Sequence, residues 1–203
     1  MAGCLVSAAS LDEAYGIVRA SKDCVRTPLL RNVEKLGFLE CPEGVEVHLK
    51  LENMQTTGSF KSRGVVVQMA KAPASVTSCE RGLVTLSAGN YGKSFACACH
   101  QRGVKGTVVM PQTAPKSREQ IIRSKGCDVI RRESSELFQK VKELEDIEGM
   151  VFLHPFDDLD LIAGYGSAGI EMSGRYRTRH RSCLLRGRWT CLGRERWAET
   201  QGV

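Results

Sequence analysis

The residues of this chain best suited to chemistry lie in Thr57-Gly58-Ser59-Phe60-Lys61-Ser62-Arg63-Gly64. Lys61 stands between a small-residue turn and the apolar run Gly64-Val65-Val66-Val67-Gln68-Met69-Ala70. Burial beside such a run disfavours an ammonium ion, and a neutral amine attacks aldehydes. Those are the requirements of a Schiff-base lysine. The same residues also fit a solvated helix start, with Lys61 a plain surface cation. A second stretch, Leu83-Val84-Thr85-Leu86-Ser87-Ala88-Gly89-Asn90-Tyr91-Gly92-Lys93-Ser94-Phe95-Ala96, reads as a buried strand, a small-residue turn and a helix. The first N–H groups of such a helix attract a carboxylate or a phosphate.

The elements that must position these residues follow from patterning. Ser10-Leu11-Asp12-Glu13 reads as a capping box that opens a helix through about Ala20. Val45 to Leu51 alternates with period two and predicts a half-buried strand holding His48. From Gly82 onward strands alternate with helices. The strands are 83–87, 106–110, 128–130 and 150–153, with helices at 91–102, 115–125 and 134–148. In the last helix Leu137, Val141, Leu144 and Ile147 share one face. This alternation predicts an α/β fold with a parallel sheet.

Composition excludes several classes. The chain has 203 residues, 26% charged and 42% hydrophobic, the balance of an ordinary globular protein. No apolar run reaches membrane-spanning length, and the N-terminus lacks the pattern of a signal peptide. Nine cysteines in that context predict reduced thiols and a cytoplasmic setting. Cys97 and Cys99 read as small core residues, and no metal site is expected. The formal charge of +6 lies entirely in residues 173–203, where eight arginines face only Glu195 and Glu199. Nothing else in the chain supports nucleic-acid binding.

Taken together, the two chemical stretches resemble the fold-type II pyridoxal-phosphate enzymes, in the serine/threonine dehydratase and serine racemase branch. Arg26-Thr27-Pro28-Leu29, Leu49-Lys50-Leu51-Glu52-Asn53 and Val109-Met110-Pro111-Gln112-Thr113-Ala114-Pro115-Lys116 extend the resemblance in order. His154-Pro155-Phe156-Asp157-Asp158 and Ile162-Ala163-Gly164-Tyr165-Gly166-Ser167 complete it, over about residues 10–172. The resemblance implies an α/β architecture of the tryptophan synthase β-like type: a complete small βαβ domain and an incomplete large domain. Residues 1–81 match the first part of the large domain, 82–153 the small domain, and 154–172 the return into the large domain. Residues 173–203 match nothing in the family and are expected to be an aberrant, disordered tail.

The resemblance also implies site roles. Lys61 would hold pyridoxal 5'-phosphate covalently and, once freed by the incoming amino acid, remove its α-proton. Phe60 would pack beside the cofactor ring, and Asn90 would hydrogen-bond the ring's phenolic oxygen. Ser87, Ala88, Gly89 and Tyr91 would line the loop that grips the substrate carboxylate. The implied reaction is β-elimination of L-serine or L-threonine to a 2-oxo acid and ammonia, by a lyase that the family suggests is a homodimer. Racemases of this group carry a serine where this chain has Ala88, and alanine transfers no proton. Tyr165 replaces the usual glutamine, with no consequence assignable from sequence. The alternatives are a serine racemase, or a non-catalytic chain that binds a full-length subunit.

The glycine-rich phosphate loop expected after Met172 is absent from the written sequence. Read back into codons and shifted by one base, Cys183-Leu184-Leu185-Arg186-Gly187-Arg188-Trp189-Thr190 permits paired cysteines, then a run of glycines, then leucine. That is the loop's pattern, so residues 173–203 read as an out-of-frame segment. On this reading the chain is C-terminally truncated and its own activity is doubtful.

Overall fold

The computed structural model describes residues 6–37, 40–77 and 79–173. The arginine-rich tail expected to be disordered lies outside the described residues from 174 onward. The chain opens with α1 (Ala8–Ala20), followed by the antiparallel pair β1 (Leu29–Leu30) and β2 (Leu49–Lys50). Next come α2 (Lys61–Lys71) and the short α3 (Ala74–Thr77). Then β3 (Leu83–Leu86), α4 (Asn90–Arg102), β4 (Gly106–Pro111), α5 (Lys116–Arg123) and β5 (Asp128–Arg132) alternate. The described chain ends with α6 (Leu137–Asp146), β6 (Val151–Phe152) and α7 (Leu159–Ser173).

β3 to β6 form one parallel sheet in the order β5-β4-β3-β6. Both faces are covered, which is why these strands read as unbroken apolar runs. Leu83, Val108, Met110 and Val129 pack with Phe95, Cys99 and Ile122 on one face. Val84 and Val109 meet Val141 and Leu144 of α6 on the other. The strand order reverses beside β3, because β4 and β5 lie to one side and β6 to the other. In open parallel sheets ligands bind outside the carboxyl ends of the strands at such a reversal. That position is flanked by the segments after β3 and β6, Ser87–Gly89 and Leu153–Asp158.

α7 crosses back from the sheet and packs against α1 and α2, where Ala14, Val18, Val67 and Ala163 form a second core. The α2–α7 crossing is close because it is made by glycines. A Cβ on Gly164 would lie 2.6 Å from the Arg63 carbonyl oxygen and 2.7 Å from the Gly64 Cα, both backbone atoms. Gly164→Ala is therefore expected to lower the urea midpoint by the equivalent of about 1–3 kcal/mol. Gly16→Ala, on the exposed side of α1 with nothing within 4 Å, is expected to raise it.

Three expectations need correction. Ser10 does not cap α1. Ser7 does, its side chain accepting the Ser10 amide at 3.1 Å, and the helix starts earlier. The strand expected from Val45 to Leu51 shrinks to Leu49–Lys50, because its partner β1 offers only two residues for pairing. Ile147 is 80% exposed, lying just past the end of α6 and off its buried face. Of the two cysteines read as core, Cys99 is buried and Cys97 half-buried.

Candidate active site around Lys61

The approach to Lys61 is a tight turn. Gly58 has φ +75°, a backbone region costly to side chains, and its amide donates to the Gln55 carbonyl at 2.7 Å. Ser59 Oγ accepts the Lys61 amide at 3.3 Å, and α2 begins at Lys61 itself. Ser62 to Met69 are all buried, so the helix enters the core one residue after the lysine. Lys61 stays half-buried at this border. Its Nζ lies 5.0 Å from the ring centroid of Phe60 and 4.6 Å from that of Tyr165. Burial pushes the amine below its ordinary value. Of the two sequence readings, the desolvated amine fits these surroundings and the solvated helix start does not.

The second stretch meets the first through hydroxyl groups. Thr57 Oγ1 lies 2.5 Å from Ser62 Oγ and 2.8 Å from Ser94 Oγ, tying the Lys61 turn to the first turns of α4. Ser87 builds the corner before α4: its Oγ accepts the Gly89 amide at 3.2 Å and the Gly92 amide at 2.9 Å. Its hydroxyl thus serves as the cap that Gly89 cannot provide. The amides of Asn90 and Tyr91 belong to the first turn, where the helix offers no acceptor. Ala88 is exposed on the loop. Asn90 is also exposed, and its Oδ1 accepts Arg118 Nη1 at 3.2 Å.

Phe60 and Lys61 thus lie at the turn into α2, and Ser87, Ala88, Gly89 and Asn90 at the corner into α4, the two stretches meeting through Thr57 and Ser94. Tyr91 joins them by its backbone alone. Its side chain is buried and its hydroxyl donates to Gln68 Oε1 at 2.6 Å, away from the loop.

The sequence assigned no role to two features of the site. Tyr165, on α7, is 5% exposed and packs edge to face against Phe60, with centroids 5.0 Å apart at 74°. Burial pushes its phenol up, so it stays neutral, and among the described residues its hydroxyl has no hydrogen-bond partner. The second feature is a buried ionic cluster centred on Arg63, two residues beyond Lys61 on α2. Arg63, fully buried, forks onto Glu52 at 2.8 and 2.9 Å and onto Glu171 at 2.9 and 2.9 Å. Lys50 Nζ reaches Glu171 at 2.5 Å, and Thr27 Oγ1 donates to Glu52 at 2.6 Å. The signal for this cluster was present as charges set among apolar residues, in Leu49-Lys50-Leu51-Glu52 and Ile170-Glu171-Met172.

A desolvated amine in an aromatic corner, beside unsatisfied helix amides, fits a cofactor that carries an aldehyde and an anionic group. Comparison with known proteins agrees. The model of the family described as "Pyridoxal-phosphate dependent enzyme" matches residues 21–182. The chain is 38% identical over 131 residues to the catabolic L-threonine dehydratase TdcB of Escherichia coli strain K12, covering 63% of this chain and 39% of that protein. It is 33% identical over 170 residues to the Staphylococcus aureus USA300 protein of the same name, covering 83% of this chain and 47% of that one. Among solved structures, the serine racemase of Dictyostelium discoideum aligns at TM-score 0.74 and 31% identity, over 86% of this chain and 55% of that one. The threonine deaminase isoform 2 of Solanum lycopersicum, in its processed form, aligns at TM-score 0.67 and 26% identity, over 83% and 46%. The chain thus spans less than half the length of these two curated relatives. With its model matched over residues 21–182, most of the chain, the chain belongs to the pyridoxal-phosphate dependent enzyme family.

Proposed function

We propose that this chain carries the lysine half of an enzyme that deaminates L-serine or L-threonine by β-elimination, giving a 2-oxo acid and ammonia. The observation that carries the reading is the place of the half-buried Lys61 amine, 5.0 Å from the Phe60 ring centroid and 4.6 Å from that of Tyr165, where burial pushes it below its ordinary value. Pyridoxal phosphate, when bound, supplies an electron sink for charge developing at the substrate's α-carbon. Lys61 would hold the cofactor and then act as the base that takes the α-proton from the amino acid. Phe60 would cover one side of the cofactor ring, and Asn90 would orient it. The Ser87–Gly89 loop, with the amides of Asn90 and Tyr91, would bind the substrate carboxylate. The exposed Ala88 has no proton to give, which favours elimination over racemisation.

The wider reading keeps 82–153 as the small domain between the two parts of the large one. It takes the enzyme to be cytoplasmic, in keeping with free cysteines at 24, 41, 79, 97, 99 and 127. It takes the assembly to be a homodimer, as the family suggests. Among the described residues no helix is long and apolar enough to cross a membrane. The residues written after Met172 lack the phosphate loop. Each charge-assisted bond lost there is worth roughly 1.5–3 kcal/mol, so losing three weakens cofactor binding at least about a thousandfold.

The test supplies L-threonine or L-serine with pyridoxal phosphate and follows 2-oxo acid release. It compares the 203-residue chain with a chain read in the shifted frame after Met172. Release by the second and none by the first is the expected result. Production of D-serine without any 2-oxo acid would overturn the reading in favour of a racemase.

A further inference from the structure

Tyr165 stands where the resemblance has glutamine, and its surroundings give it a task. The ring lies over the Lys61 amine at 4.6 Å and is braced edge to face by Phe60, whose own ring lies 5.0 Å from that amine. The hydroxyl does not hold the side chain in place, since it has no partner among the described residues. The backbone does: a Cβ on Gly64 would lie 2.3 Å from Tyr165 Cε1, so the absence of a side chain at 64 leaves the room that the ring occupies.

We propose that Tyr165 is a positioning residue for Lys61, its ring and that of Phe60, set at 74° to each other, forming an aromatic corner that holds the amine at the mouth of the turn. The inference rests on Lys61 being the reactive amine of the site. Attraction between an ammonium and a ring face opposes the desolvation that drives the proton off. The corner therefore fixes where the amine sits and moderates how readily it becomes neutral. Because the phenol stays neutral, it adds no anionic charge beside the lysine.

The experiment is competitive acetylation of the 203-residue chain with trace acetic anhydride across a pH series. The Lys61 peptide is read by mass spectrometry, and no cofactor is added. Tyr165→Leu keeps an apolar wall and removes the π-face. It is expected to lower the Lys61 titration midpoint by about half a unit to one unit. Tyr165→Phe keeps the ring and is expected to leave the midpoint unchanged. If Tyr165→Leu does not fold, Tyr165→Met, which fills a similar space, takes its place with the same expected shift. An unchanged midpoint in a folded Leu or Met variant would overturn the proposal. So would a Phe variant that shifts as far as the Leu variant. Because the labelling needs no pyridoxal phosphate, the shift seen here together with no 2-oxo acid release by the shifted-frame chain would overturn the functional reading and leave this one standing.

Discussion

Arg63→Met is expected to destabilise the fold by about 3–5 kcal/mol, enough to leave much of the chain unfolded at physiological temperature. Arg63 is the hub of a buried cluster that is neutral only as a whole: Arg63 and Lys50 against Glu52 and Glu171. The arginine alone touches both carboxylates with paired N–H groups. Without it, Lys50 neutralises Glu171 and Glu52 is left as a buried, unbalanced charge. Arg63→Lys is expected to rescue little, because a single ammonium cannot fork onto two carboxylates. The cluster joins the segment before the site turn, α2 and the last turn of α7, so its loss also frees the helix that begins with Lys61. Urea titration followed by circular dichroism measures the effect. Lys71, which meets Glu13 and Asp160 at the surface, is the control, and Lys71→Ala is expected to move the midpoint far less. Acid acts on the same cluster. Burial opposes ionisation of Glu171, but hydrogen bonds from Arg63 and Lys50 outweigh it and hold the carboxyl below its ordinary value of 4.5. The stability contributed by Glu171 is present above that value and is lost as pH falls through the lower folded value.

Lys61→Met is expected to abolish the borohydride-reducible yellow colour that the parent chain acquires with a high concentration of pyridoxal phosphate. The competing amine is Lys93, whose Nζ lies 3.7 Å from where a Cβ on Gly58 would be, beside the same turn. Lys93→Met is expected to keep the colour. Desolvation lowers Lys61 below the ordinary 10.5. Well below its titration midpoint, each unit of lowering gives about tenfold more neutral amine at a fixed pH. The colour should therefore develop at lower pH than it does with free lysine. The same shift has a sign for stability. Between the lowered folded value and 10.5 the unfolded chain binds the extra proton, so stability rises with pH through that window. Lys61→Met is expected to flatten that rise.

The parallel sheet was legible because strands buried on both faces announce themselves as apolar runs, as Leu83–Leu86 and Gly106–Met110 do. Lys61 and the Ser87–Asn90 corner were legible because small-residue turns leading into helices are local patterns. What local patterns hide is direction. Tyr91 sits in the loop sequence, yet its side chain follows the helix inward to Gln68. Tyr165 lies 104 residues from Lys61 along the sequence, and only the glycine crossing of α2 and α7 brings their side chains together. The cap of α1 differs from the sequence expectation because Ser7 and Ser10 both suit a capping role, and a capping box pattern alone cannot say which one the backbone chooses. Ile147 differs because the apolar spacing continues one residue beyond the point where α6 ends.

The most direct test of the account is to reduce the 203-residue chain with borohydride in the presence of pyridoxal phosphate near neutral pH, then map the labelled peptide. A pyridoxyl group on Lys61, with other lysines labelled only at background, is the expected result. Label spread evenly over surface lysines, or concentrated on Lys93, would contradict it.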